Sequence, residues 1–379
     1  MRAHAWLGVV VLALACGGLR LSERAPVPRS GARVATAAAV TSSAPVAPTH
    51  REAEDAGGPA TSRAEALPPT AAVTRSVDPV TTLLALPGSA STSVGGPSSG
   101  QLIGGLPLPD VGPGFVHNHE RPDAARFGSV ELVQLIMRAA AAVEQEAPGS
   151  VLTVNDLSLE HGGPIAQHGS HQNGRDADIL YYVLDEHRAP IASVGVPLDP
   201  KGQGWDFKDL AVADDDQRVQ LDAPRSWRFV QAMLELAPEA VQRIFMVEHV
   251  RTLLLAQADK VHAPRLVRER FADITCQPDA PHDDHLHLRL YCTPEDLAAG
   301  CLDSPPTYPW RSALLRVVGL SPSIAPAYTT GQRQAASKRK TTPAQARAKA
   351  GPMHARVLHF LAERKAWREQ PHPGRAYCK

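Results

Sequence analysis

Residues 282–291 read His-Asp-Asp-His-Leu-His-Leu-Arg-Leu-Tyr. From His285 onward polar and apolar side chains alternate, the period of a β-strand with one buried face. Leu286, Leu288 and Leu290 then point to a core, while His285, His287, Arg289 and Tyr291 share the opposite face. Side chains two apart on a strand stand about 7 Å apart at the backbone. One histidine of such a pair can hold a metal while its neighbour reaches the water or substrate beside it.

A second group lies upstream, at His168-Gly-Ser-His171-Gln-Asn-Gly-Arg-Asp176-Ala-Asp178. Residues 176–183 read as another strand, with Asp176 and Asp178 on one face and Ala177, Ile179, Tyr181 and Val183 on the other. Two imidazoles and a carboxylate form a usual donor set for catalytic zinc, which takes three protein ligands and keeps one position open for water. A neighbouring base completes the minimum machinery. Asp176 and Asp178 face the same way, so spacing leaves the choice of ligand open, and the other suits orienting a ligand histidine. Arg289 suits either a substrate carboxylate or a pairing with Asp283 or Asp284. His117, His119, His161, His187, His249 and His262 lack companions at ligand spacing and are expected to be mostly solvated.

Outward from these clusters, residues 129–145 carry apolar side chains at helical spacing, and Pro148-Gly149 stops the helix. Short strands are expected at 151–154 and 244–247, and helices at 227–236 and from 248 to about 259. The Gly-, Pro- and Asp-rich residues 197–222 read as a surface insertion. Strands and helices without strict alternation indicate an α+β fold, a small antiparallel sheet with flanking helices that carries the cleft. No internal repeat and no glycine-rich phosphate loop is present.

The ends differ in character. Residues 1–22 read as an export signal, with Arg2 before an apolar run too short to span a membrane. Simple cleavage and lipid attachment at Cys16, which would anchor the chain to a membrane, both remain open. Residues 23–113 are rich in Ala, Pro, Ser, Thr and Gly and poor in aromatics, the composition of a disordered tether. The balanced formal charge hides an asymmetry, since fourteen Lys or Arg follow from Arg311 against only Glu363 and Glu369. Such a segment suits anionic partners such as lipid head groups or wall polymers, no nucleic-acid partner being expected, or is simply solvated. Residues 305–379 are therefore expected to form a basic, largely solvated extension. Cys276, Cys292, Cys301 and Cys378 allow two disulfides in three connectivities, and without a Cys-x-x-Cys pair a zinc ribbon is excluded.

Gly162-Gly163-Pro164 followed by His168-x-x-His171-Gln172-x-Gly174-x-Asp176-x-Asp178 resembles the first motif of the penicillin-insensitive murein endopeptidases. His282-x-x-His285-x-His287-x-Arg289 is similar to their second, and the likeness extends over residues 114–301, including Arg126-Phe127-Gly128. The resemblance implies a zinc metallopeptidase domain over 114–304, with metal ligands His171, Asp178 and His287 and with His285 as base. It implies that His168 and His282 line the cleft, stabilising a developing oxyanion or positioning substrate. The implied substrate is peptidoglycan, cut at D-alanyl-diaminopimelyl cross-links between stem peptides in the periplasm. Alternatives on the same fold are a murein carboxypeptidase and a catalytically silent wall-binding module.

Overall fold

The computed structural model describes residues 78–326, 343–369 and 378. The expected export signal and Cys16 lie outside these residues. Among the described residues no helix is long and apolar enough to cross a membrane.

The chain begins with helix α1 (Pro79–Leu84), a hairpin of β1 (Thr92–Gly96) and β2 (Ser99–Ile103), and the short strands β3 (Leu106–Pro107), β4 (Val111–Gly112), β5 (Phe115–His117) and β6 (Phe127–Gly128). Helix α2 (Val130–Glu146) follows, its first turn capped by the Ser129 hydroxyl. Next come β7 (Leu152–Val154), β8 (Asp176–Leu180), β9 (Val183–Leu184), β10 (Pro190–Ile191), β11 (Gln203–Trp205) and β12 (Arg218–Leu221). After them run α3 (Ala223–Leu236), β13 (Val241–Phe245), α4 (Glu248–Lys260), α5 (Arg265–Ile274), β14 (Thr275–Cys276), β15 (His285–Leu290), α6 (Pro294–Ala298) and α7 (Pro309–Val317). Two further helices span Pro343–Ala350 and Ala355–Glu369.

The fold is α+β as expected, but the sheet is neither small nor purely antiparallel. Seven strands run in the order β14-β13-β15-β8-β7-β5-β4. The pairs β13–β14 and β5–β7 are parallel, and the others antiparallel. The parallel pairs follow from their connections, because α4 with α5 and α2 carry the chain back before the next strand is laid down. Central strands β8 and β15 are buried along their whole length. Ala177, Ile179, Leu286, Leu288 and Leu290 belong to one large core with residues of α2, α3, α4 and α5. The helices thus cover one face of the sheet, and the period-2 alternation sends the polar residues of β8 and β15 to the other.

Three expectations about segments need correction. Ordered structure begins well before residue 114: the expected tether includes β1 and β2, which pair along their full length. Small residues there serve close approach, since a Cβ on Gly100 would stand 2.5 Å from the Gly96 and Val94 carbonyls and 2.7 Å from Asn173 Cβ. Residues 197–222 are not simply a surface insertion, because β11 and β12 join β9 and β10 in a four-stranded sheet and Leu198, Val219 and Leu221 enter the core.

The basic extension is also not simply solvated. Val357 is fully buried and forms a second apolar cluster with Phe207 and Leu210, against which Phe360 and Leu361 pack. Arg364 reaches Asp283 at 2.6 Å, both side chains being buried. Arg356 pairs with Asp216 at 2.7 Å. The cysteines pair as Cys276–Cys378 and Cys292–Cys301. The first bridge ties the chain end to β14, beside the second histidine motif.

Candidate metal centre

Strand register assembles half of the site. In the β8–β15 ladder His287 lies opposite Asp178 and Arg289 opposite Asp176. On the other side of β15, Phe245 of β13 lies opposite His287 and Arg243 opposite Arg289. Directly opposed residues share a face, so the pairing of three strands alone brings an imidazole, two carboxylates, two guanidiniums and a phenyl ring together.

The other half sits on the loop before β8. His171 adopts φ 67°, a left-handed conformation that its surroundings must hold. Its backbone N–H donates to Asp176 Oδ2 at 3.0 Å, its carbonyl accepts from Ser158 Oγ at 2.7 Å, and its ring Nδ1 donates to the Leu157 carbonyl at 2.5 Å. A carbonyl only accepts, so Nδ1 carries the proton and Nε2 presents a lone pair. The β1–β2 hairpin braces the loop from outside. Gln172 N–H donates to the Pro97 carbonyl, Ser93 Oγ to the Asn173 carbonyl, and Asn173 Nδ2 to the Gly95 carbonyl, at 2.8–3.0 Å.

The donors converge on Asp178. Its Oδ1 lies 3.3 Å from His171 Nε2, 3.1 Å from His287 Nδ1 and 3.5 Å from His285 Nε2, and its Oδ2 lies 3.5 Å from His168 Nδ1. Two overlapping groups, His168-His171-Asp178 and His171-Asp176-His287, each keep their donor atoms within 4.8 Å of one another. Hydrogen bonding separates the carboxylates. Asp176 is fully engaged, receiving Arg289 Nε and Nη2 at 2.7 and 2.9 Å as well as the His171 N–H. His171 Nε2, Asp178 Oδ1 and His287 Nε2 are buried without a hydrogen-bond partner. Buried polar atoms rarely stay unpartnered, and two imidazoles with one carboxylate suit a divalent transition-metal ion. The residues therefore fit a metal.

The remaining histidines flank this cluster. His285 Nδ1 bonds Asp284 Oδ1 at 2.7 Å, which leaves Nε2 turned toward Asp178. Burial lowers the pKa of His285, but Asp284 and Asp178 outweigh it and raise the value to about 9 in the metal-free protein. Burial, with His285 and His287 nearby, lowers His282 to about 3. His282 spends its Nδ1 proton on the Ala280 carbonyl at 2.8 Å, so it offers the cleft a lone pair and not an N–H. His168 Nε2 bonds Asp156 Oδ2 at 2.7 Å, and Asp156 also receives Arg121 Nε at 3.0 Å. Burial raises the pKa of Asp178, yet His171 and His285 override it and hold the carboxylate well below its ordinary range.

All six expected site residues, His168, His171, Asp178, His282, His285 and His287, meet in this one cluster. Arg289 takes neither Asp283 nor Asp284, since the register places it on Asp176. Two histidines expected in solvent are buried. His117 is fully buried on β5, and His249 donates Nε2–H to the Leu198 carbonyl and packs 4.8 Å from the Trp367 ring. Sequence reasoning missed Asp156, Ser158, the hairpin and Arg364. Asp284, adjacent to His285, was the most accessible of the missed roles, while Thr-Ser-Val-Gly-Gly-Pro-Ser-Ser-Gly at 92–100 carried a hairpin signal in its glycines flanking a tight turn.

A family profile described as penicillin-insensitive murein endopeptidase matches residues 93–309. The chain belongs to this family. Penicillin-insensitive murein endopeptidases of Yersinia pestis and Klebsiella pneumoniae are 30% and 31% identical to it over 228 residues. These alignments cover 56% and 59% of the chain and 71% and 73% of the relatives. The enzyme of that name from Pectobacterium atrosepticum is 29% identical over 224 residues. The family match begins at Ser93, on β1 of the bracing hairpin. It ends at Pro309, so the helix that carries Arg364 lies beyond the matched residues.

Proposed function

We propose that this protein is an exported zinc-dependent endopeptidase that hydrolyses D-alanyl-diaminopimelyl cross-links of peptidoglycan in the periplasm. The observation that carries the reading is the convergence of His171 Nε2 and His287 Nδ1 on Asp178 Oδ1, the first and last of these atoms buried without a hydrogen-bond partner, beside an independently oriented His285, in a chain of this family. His171 through Nε2, Asp178 through Oδ1 and His287 would hold the metal, with Asp176 and the Leu157 carbonyl orienting the two imidazoles. A bound Zn2+ supplies Lewis acidity toward a scissile carbonyl and an activated water.

The rest of the chemistry belongs to side chains. His285 takes a proton from the attacking water at Nε2, with Asp284 fixing the tautomer through Nδ1, and then returns it to the leaving amine. Asp284 and Asp178 raise the pKa of His285 in the metal-free protein, and positive charge held at Asp178 would oppose that rise and favour the neutral imidazole that a base requires. His168, with one ring nitrogen on Asp156 and the other facing Asp178, lines the cleft and positions substrate beside the metal ligands. His282, with its N–H spent on Ala280, positions the substrate and its neighbours. No serine nucleophile takes part, so penicillin has no group to acylate.

Mass spectrometry of cross-linked muropeptide dimers digested by the purified protein tests the reading. Conversion of dimers to intact monomers is expected. Monomers that lose one alanine, with dimers untouched, would replace it with a carboxypeptidase.

A further inference from the structure

The histidine face of the sheet continues past the metal cluster to Arg243, a cation that meets no carboxylate among the described residues. Arg243 stands on β13 two residues from Phe245, whose ring lies 5.1 Å from that of His287. The pleat sends Arg243 and Phe245 to the same side, and both are half-buried. Other guanidiniums around the cleft each meet a carboxylate: Arg289 has Asp176, Arg121 has Asp156 and Arg364 has Asp283. Arg243 forms no ion pair among the described residues. Its one hydrogen bond to a side chain runs from Nη1 to Cys276 Sγ at 3.2 Å.

Its surroundings accentuate the imbalance. Burial lowers the pKa of this guanidinium, and the charges that act on it come from Tyr308, Tyr291 and another cation, Arg289. Tyr308 presents its ring 5.9 Å from the guanidinium carbon and stacks on Trp310, forming an aromatic wall on that side. A cation taken partly out of water without an anion is costly. A half-buried arginine with most of its donors uncommitted, on the sheet face that carries His287, is arranged to receive an anion.

We infer that Arg243 is a substrate-carboxylate subsite, a specificity-determining residue that binds a free carboxylate of the stem peptide beside the bond being cut. The inference rests on the murein endopeptidase reading and deepens it. One pleat repeat, about 7 Å, separates the level of His287 and Asp178 from that of Arg243. An extended peptide advances about 3.3–3.6 Å per residue. A carboxylate on one of the two residues next to the scissile bond therefore reaches the guanidinium while the carbonyl sits at the metal cluster. The aromatic wall of Tyr308 and Trp310 would shield that pair from water and strengthen it.

The test compares two muropeptide dimers that differ only in having stem carboxylates free or amidated, measured as kcat/KM with wild type, Arg243→Met and Arg243→Lys. Met keeps the apolar stem of the side chain, and metal content and thermal midpoint verify that each variant is folded and loaded. Wild type is expected to prefer the free-carboxylate dimer by about tenfold or more, the scale of one charge-assisted contact. That preference should collapse toward unity in Arg243→Met, mainly through KM, and return in part with Arg243→Lys. Equal cleavage of both dimers by wild type, or a preference undiminished in Arg243→Met, would overturn the subsite and leave the endopeptidase reading intact. Cleavage of neither dimer by metal-loaded wild type would remove both.

Discussion

The two halves of the metal cluster are built on opposite principles. His285 and His287 ride on a central strand, where the ladder with β8 and β13 fixes the backbone and the pleat aims the side chains. His168 and His171 sit on a loop, where no ladder exists and each group is held by its own buried polar contact: Asp176, Leu157 and Ser158 for His171, Asp156 for His168. The strand half needs little beyond its register, whereas the loop half needs a scaffold of side chains that do no chemistry. Asp176 belongs to both, pairing with Arg289 on the strand and holding the His171 N–H on the loop.

Removing that shared group should therefore have the largest effect. Asp176→Ala leaves the buried Arg289 without its counter-charge and frees the His171 amide, and a loss of ~3–5 kcal/mol in unfolding free energy is expected. Denaturant titration of the purified variant measures it, and an unchanged midpoint would mean the halves are not joined there. Next is Arg364→Ala, which strands Asp283 in the turn that leads into β15. A loss of about 3 kcal/mol is expected on the same titration, although this residue lies outside the family match. A neutral result would show the strand half to be self-sufficient.

Smaller effects sharpen the contrast between orientation and placement. Asp284→Asn removes the charge that sets the His285 tautomer while leaving the strand in place, so metal content should hold while kcat falls by roughly 10–100-fold. Ser158→Ala touches only the loop half. It should cost about 1 kcal/mol of stability and weaken metal affinity, read by competition with a chelating dye. Loss of metal from Asp284→Asn, or full affinity in Ser158→Ala, would blur the division between the halves.

The same division explains what was readable in the sequence. Period-2 alternation in 285–290 put the correct residues on the cleft face, because a strand's side-chain directions follow from the chain alone. What distinguishes Asp176 from Asp178 was not readable, since Arg289 lies opposite Asp176 through a register set by pairing between distant segments. The same register gives Arg289 to Asp176 and so removes Asp283 and Asp284, one of the two alternatives read from the sequence. Residues 92–103 looked too small and polar to order, yet their glycines are what allow a hairpin to press against Asn173. The basic tail looked solvated because charge dominates its composition, while the few residues that dock it, Val357, Phe360 and Arg364, are scattered along one helix.

The central claim is that His171, Asp178 and His287 hold the metal and that His285 serves as a base without holding it. Bound zinc per chain, measured by atomic emission on His287→Ala and His285→Ala purified side by side, tests it most directly. The account predicts near-zero zinc in His287→Ala and one ion per chain in His285→Ala, the latter with cleavage of cross-linked sacculi reduced by about a hundredfold or more. Zinc retained in His287→Ala, or lost from His285→Ala, would contradict it.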